Sequence, residues 1–298
     1  MPRRLAGLLF AFTALLAPLA LGSCARPPAH DGPALWRVAD ADSEIWLFGT
    51  VHMLPPSLVW RTPKIERAFA EADTVYFETP TDADGQTAMA ALVQKLGLNP
   101  PGVTLSSLLT AEDRTRLAAA ARKAYINPAA LEPARPWLAA VQLSVASVAA
   151  RGQAADAGVE RVLDKEAKAQ GKMRQFFETG EQQVRFFADL PPETELGFLR
   201  ATITDVENEA EAVDAMNKAW AEGDTKTLGG YLDEMLNEAG PDVYQVLIVD
   251  RNAAWTREIE ALLRGKGKVF IAVGAAHLIG RDSVPAMLRK QGYKVEGP

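Results

Sequence analysis

The chain has 298 residues, 48% of them apolar and 23% charged, with a net charge of −6, three histidines and one cysteine. That is ordinary globular composition, enough for one sizeable core or two small ones, and a single cysteine excludes a disulfide within the chain. No basic run or aromatic–basic interleaving occurs, which argues against nucleic-acid partners and against electrostatic adhesion to anionic lipid.

The first residues read as a targeting segment. Met1-Pro2-Arg3-Arg4 is a short basic start, Leu5 to Leu21 is an uncharged apolar run, and Leu21-Gly22-Ser23-Cys24 follows. Residues 1–23 fit a secretory signal peptide, too short and too early to be a membrane span of the fold. Leu-Gly-Ser-Cys has the form of a bacterial lipobox, which makes Cys24 the expected lipidation site; ordinary cleavage after Ala25 is the alternative. A lone thiol is odd in an exported protein, and lipidation removes the oddity. Without residues 1–23 the balance is 30 basic against 38 acidic side chains, −8. Residues 24–34 form a Pro-rich tether that includes His30. The expected location is the bacterial periplasm, with the lipid anchor in the outer membrane as the only membrane contact.

Residues 35–298 read as one α/β domain. Leu35–Val38 and Glu44–Phe48 form a strand pair around a polar turn at Asp40–Ser43. Thr62-Pro63 opens a helix as N-cap and first helical residue, and Thr74–Phe77 is a strand ended by Glu78. A helical insertion spans about 82–240. Within it Thr110 caps a helix through Tyr125, Pro136–Arg151 and Val159–Ala169 are helices, and Met173–Phe177 is a short strand ended by Glu178. Gln182–Leu190, Glu193–Glu222 and Thr225–Asn237 are further helices. Val243–Leu263 is an amphipathic helix carrying Arg251, Asn252 and Trp255. Lys268–Val273 is a strand, Ser283–Lys290 a helix, and Tyr293–Val295 a strand ended by Glu296. The ends of the domain thus repeat one pattern, strand–Gly-x-x-His–helix–strand. Two such crossover units predict one parallel or mixed central sheet, with the site at the carboxyl ends of its strands.

That repeat holds the candidate chemistry. Phe48-Gly49-Thr50-Val51-His52 and Val273-Gly274-Ala275-Ala276-His277 each place a histidine three residues after a Gly that ends an apolar run. Gly there permits a tight turn and a close approach of backbone or ligand. Neutral imidazole is the commonest metal ligand and the usual general base near neutrality. A carboxylate beside two imidazoles would complete a divalent metal site with open positions. Glu78, after Val75-Tyr76-Phe77, is the best candidate, because burial obliges it to find a metal, a cation or a proton. The expected ligands are therefore His52, Glu78 and His277, for manganese, zinc or cobalt. Arg251 lies among apolar neighbours, as an anion clamp or as the partner of Asp250 or of a sheet acid. Asn252, Glu178 and Gln183 join it as candidate substrate contacts; the alternatives are helix support for Asn252 and a helix cap for Glu178. No H-E-x-x-H helix, G-x-S-x-G elbow or Walker loop is present.

Four landmarks, Leu-Phe-Gly-Thr-Val-His, Phe-Glu-Thr, Asp-Arg-Asn-x-x-Trp and Ala-Val-Gly-Ala-Ala-His-Leu-x-Gly, together resemble the TraB/PrgY/GumN family over about residues 35–297, with Glu178-Thr179 and Gln183 a weaker fifth. The family is similar to the Tiki proteases. The resemblance implies an α/β fold and a metal-dependent hydrolytic site at His52, Glu78 and His277, assisted by Arg251, with Glu78 as ligand or as base. The sequence departs from the family pattern at Phe177, where Leu is expected before the Glu, and at Ala275-Ala276, where Gly is commoner. The expected activity is an exported peptidase acting on a peptide or other small exported substrate. The alternatives are a non-catalytic lipoprotein holding haem or a metal, and an accessory factor that binds peptide or polysaccharide.

Overall fold

A computed structural model describes residues 31–208 and 212–298. The expected signal peptide, Cys24 and His30 lie outside the described residues. The domain starts with a hairpin, β1 (Leu35–Ala39) and β2 (Ser43–Thr50), paired antiparallel with Leu35 opposite Phe48. Asp40 closes its turn by accepting from the Ser43 N–H at 2.8 Å. Helix α1 (Pro63–Glu71) starts at Thr62, whose hydroxyl accepts from the Ile65 N–H, with Pro63 in the first turn. β3 (Thr74–Phe77) follows.

Next come α2 (Ala83–Leu96), α3 (Ala111–Lys123), α4 (Pro136–Ala150), α5 (Val159–Ala169), β4 (Met173–Phe176), α6 (Gly180–Ala188) and α7 (Pro192–Asn208). They are followed by α8 (Ala212–Glu222), α9 (Thr225–Ala239), the short α10 (Pro241–Tyr244) and, after a π-helical turn at Gln245–Val249, α11 (Asp250–Leu263). β5 (Gly267–Gly274), α12 (Val284–Lys290) and β6 (Val295–Glu296) end the chain.

The six strands form one mixed sheet in the order β4-β3-β5-β2-β1-β6. β4, β3, β5 and β2 run parallel, and β1 is antiparallel to both β2 and β6. Side chains alternate along each strand, so both sheet faces are apolar, as a covered parallel sheet requires. Phe48, Val75, Phe77, Phe270 and Ala272 pack under α1, α5, α8 and α9. Ile45, Leu47, Tyr76, Ile271 and Val273 pack under α11 and α12. A separate apolar core is built by α3, α4, α6 and α7, with α2 along its side. Among the described residues no helix is long and apolar enough to cross a membrane.

The strand order adds what the repeated pattern left open. The strands of each Gly-x-x-His unit are not neighbours. β5 enters between β2 and β3, and β6 lies beyond β1 at the far edge. β5 is apolar on both faces and belongs in the centre; two-residue β6, with exposed Glu296 against Arg37, suits an edge. Glu296 is therefore no counterpart of Glu78. Within the helical insertion of residues 82–240 the expected short strand is present as β4, paired in parallel with β3, and α5, α8 and α9 cover the sheet.

Phe270 is fully buried, with ring centroids 5.7 Å from Phe48 and 5.5 Å from Phe69. Phe270→Ala should lower unfolding free energy by about 3–5 kcal/mol, read as a drop in the urea midpoint at unchanged slope. A loss under about 1 kcal/mol would show that the centre of the sheet repacks freely.

Candidate functional site

The strand register puts the ends of β2, β3, β4 and β5 on one line. Thr50 lies opposite Gly274, and Phe77 opposite both Ala272 and Phe176. The ladder runs one residue further, where the Glu178 N–H donates to the Glu78 carbonyl at 2.9 Å. Two Glu-Thr pairs, Glu78-Thr79 and Glu178-Thr179, thus leave adjacent strands side by side, and both carboxylates are buried.

Two buried neighbouring acids need a cation. Arg251 reaches them from the first turn of α11, just after the π-helical turn, an irregularity that recurs at functional positions. Its Nη2 donates to Glu78 at 2.5 Å and to Glu178 at 2.9 Å, and its Nε donates to Glu178 at 2.7 Å. Nη1 donates to the Leu247 carbonyl at 3.3 Å and stands 3.1 Å from His277 Nε2. Of the two partners weighed for Arg251, the sheet acids hold it; Asp250 instead accepts from Gln245.

Glu78 is bound on all sides. Its Oε1 accepts from the Gly274 N–H at 2.7 Å, and its Oε2 also accepts from Gln183 Nε2 at 3.2 Å. A Cβ on Gly274 would stand 3.1 Å from Oε1, which is the close approach this glycine permits. Burial opposes the charge, but the Arg251 guanidinium and the Gly274 N–H outweigh it and bring Glu78 down to about 2. Burial pushes Glu178 up, the bonds from Arg251 and Trp255 notwithstanding. Glu178 is not a helix cap, because the Thr179 hydroxyl caps α6. Its carboxylate serves Arg251 and Trp255 Nε1, the latter at 3.0 Å.

His277 lies under the Trp255 ring, centroids 4.4 Å apart. Its Nδ1 is 2.7 Å from Asn252 Oδ1, and Asn252 Nδ2 donates to the Asp282 carbonyl at 2.8 Å. The amide therefore faces His277 with its acceptor, Nδ1 carries the hydrogen, and Nε2 keeps its lone pair. That lone pair faces Arg251 and stands 3.9 Å from Glu78 Oε1. Burial pushes His277 down to about 3, so the ring is neutral at physiological pH.

His52 differs. Its side chain is 72% exposed, and Nδ1 lies 2.8 Å from Glu160, a buried acid in the first turn of α5 that also accepts from the Thr50 hydroxyl. The Glu160 charge raises His52 to about 9. Solvent screens so exposed a pair, which therefore adds little stability. His52 lies within Coulombic reach of Glu78, His277 and Arg251.

The structure thus gathers buried Glu78, Glu178, Arg251, Asn252 and His277 and half-buried Gln183 into one network, with His52 beside it. The proposed substrate contacts are committed inside that network: Asn252 is 0% exposed and orients His277, while Gln183 holds Glu78 and accepts from the Thr79 hydroxyl at 3.2 Å. Sequence reading missed Glu160 and the Asp282 carbonyl, which no short motif marks.

The donor chemistry suits a divalent ion at two positions, an ionised Glu78 and a neutral His277, whose Nε2 lone pair faces Arg251 Nη1 in the metal-free protein. Glu78 and Glu178 share the single guanidinium of Arg251. The third expected donor is held at Glu160, and among the described residues no group of three or more His, Cys, Asp or Glu is arranged to hold a metal.

The sequence profile of the TraB/PrgY/gumN family matches residues 34–297. "Uncharacterized protein YbaP" of Escherichia coli (strain K12) is 25% identical over 276 residues, 90% of this chain and 97% of its own length. The Shigella flexneri protein of the same description is 26% identical over the same shares. No solved structure matches.

The two buried groups give the metal-free protein one acid response. Glu78 sits below its ordinary 4.5, so the stability of its ionised form is present above that value and lost as pH falls toward 2. His277 sits below its ordinary 6.5, so unfolded chains bind a proton that the fold refuses, and stability falls from there toward pH 3. Urea midpoints should therefore decline steadily through this range. Arg251→Met should cost about 3–5 kcal/mol at neutral pH by stranding two buried carboxylates. That deficit should shrink in acid, where they protonate; an equal deficit at both pH values would contradict the pairing.

Proposed function

The chain belongs to the TraB/PrgY/gumN family, and from that premise we propose that it is an exported metal-dependent hydrolase acting on peptides. The observation that carries this reading is the pairing of an ionised, buried Glu78 with a neutral His277 whose Nε2 lone pair lies 3.9 Å away. Both stand at the carboxyl ends of parallel strands, where α/β sheets place their ligands, and solvent-exposed His52 occupies the neighbouring turn.

His52, Glu78 and His277 would hold the ion, manganese, zinc or cobalt. When bound, such an ion supplies a polarised carbonyl and a bound water that ionises near neutrality. The protein's own groups do the rest. Arg251 and the Gly274 N–H keep Glu78 ionised, fit to bind the ion or to take a proton from water. Asn252 keeps the His277 lone pair directed into the site. His52, the member that solvent reaches, meets the substrate first. Export, lipidation at Cys24 and a periplasmic position at the outer membrane complete the proposal and rest on residues 1–25.

The test is metal content by mass spectrometry on protein purified without chelator, with peptide-library cleavage, for the wild type and for His52→Ala, His277→Ala and Glu78→Gln. The expected wild type holds about one transition metal per chain and cleaves peptides, and both histidine variants lose metal and activity while keeping the fold. Glu78→Gln with metal but no activity would make Glu78 the base; loss of both would make it a ligand. No metal in the wild type, even after reconstitution with manganese, zinc and cobalt, would overturn the proposal in favour of non-catalytic binding.

A further inference from the structure

His52 is the anomaly of the site. It shares a sequence frame with His277, yet its ring is largely in solvent, where an imidazole has rotamer freedom to lose. The hydrogen bond to Glu160 sets its direction. Resting on the two-histidine reading above, we propose that Glu160 is the positioning residue of His52: it takes the Nδ1–H and so leaves Nε2 as the open nitrogen of the exposed ring.

Four observations support this role. Glu160 Oε1 lies 2.8 Å from His52 Nδ1, and the same oxygen accepts from Thr50 two residues earlier, so one buried carboxylate binds the Gly-x-x-His turn twice. The backbone of α5 is fastened to that turn, since the Val159 N–H donates to the Val51 carbonyl at 3.0 Å. Gly158 is shaped to the turn as well: a Cβ there would stand 2.1 Å from the His52 carbonyl oxygen. Just upstream, Ala154 and Leu54 exchange backbone hydrogen bonds at 3.0 and 3.4 Å. Glu160 is therefore a fixed group on a fixed helix end, while the imidazole is the part free to turn.

The second histidine supports the same logic. His277 Nδ1 is held by Asn252, and Asn252 is held by the Asp282 carbonyl. Each histidine thus has its Nδ1 engaged by a side chain from a helix outside its own turn, the arrangement that fixes tautomer and ring direction in ligating histidines. The partners differ in charge. Neutral Asn252 suits a ring buried beside Arg251, where an added charge would be costly. Anionic Glu160 suits an exposed ring, because a charged acceptor holds an imidazole more firmly against water than a neutral one.

The experiment follows histidine 15N signals in metal-free full-length protein, for the wild type, Glu160→Gln and Glu160→Ala, up to the high-pH plateau where His52 is neutral. In the wild type His52 should be the Nδ1–H tautomer. Glu160→Ala should return it to Nε2–H, the preference of free imidazole. Glu160→Gln, whose amide oxygen can still accept, should keep Nδ1–H. His277 should remain Nδ1–H in all three, which certifies the fold. Cobalt titration should show affinity reduced about 10- to 100-fold in Glu160→Ala and less in Glu160→Gln. A wild-type His52 in the Nε2–H form, or a tautomer unchanged in Glu160→Ala, would overturn the proposal. Failure of the wild type to bind cobalt would count against the metallohydrolase reading alone, since the tautomer result still decides the role of Glu160.

Discussion

The Arg251 guanidinium is the constraint on which the end of the sheet depends. β3 and β4 run parallel and in register, and each ends in Glu-Thr, so two carboxylates leave the sheet side by side away from water. Without a cation between them, burial and mutual repulsion would push both toward the protonated form. Arg251 binds both, and its position on α11 ties that helix to two strands at once. Stability is a poor account of such a trio, because well-packed apolar residues of similar volume are often as good or better. What the trio achieves is a difference between its two acids. Glu78, with the Gly274 N–H and Gln183 added to its shell, is held well below the ordinary carboxylate range, and Glu178 is held above it.

The two histidines show how one local pattern serves two environments. Parallel β2 and β5 put both turns on the same sheet edge, and each Gly admits a close neighbour: a Cβ on Gly49 would press on Ala275 at 3.1 Å. His277 is enclosed by Trp255, Arg251 and Asn252. His52 is exposed to solvent and bonded to Glu160. The inner ring is neutral and fixed by packing, while the outer ring is directed by a hydrogen bond.

Much of this was legible in the chain. The apolar runs before Gly49 and Gly274, the acid after Val75-Tyr76-Phe77, and an arginine among apolar helix residues all signalled groups that share one end of a sheet. The repeated strand–Glu–Thr pattern at residues 178–179 was visible as well, although its weight as a site residue rather than a cap required the Arg251 contact. Other features were not legible, for definite reasons. Periodicity marks a strand but not its neighbours, so the placing of β5 between β2 and β3 could not be read. Glu160 looks like any acid in the first turn of a helix, and only the tertiary contact of α5 with the His52 turn separates it from a solvated one. Asn252 read as a substrate contact or a support of its own helix, because its partner, His277, lies on a different element.

The strand order also bears on how the chain acquires its shape. β5 is the central member of the parallel block, and it is the last of that block to leave the ribosome. Until residues 267–274 exist, β2 can pair only with β1 and β3 only with β4, and each keeps an unpaired apolar edge of the kind that invites misassembly. Closing so long a loop adds little free-energy cost, because that cost grows only with the logarithm of length, but such non-local pairing slows folding. The helices made in between can build their own core while they wait. The sheet, and the array of charged groups at its edge, is completed by insertion of a single late strand, so a chain truncated before residue 267 would lose the Gly274 N–H and His277 together with the element that joins the two halves of its sheet.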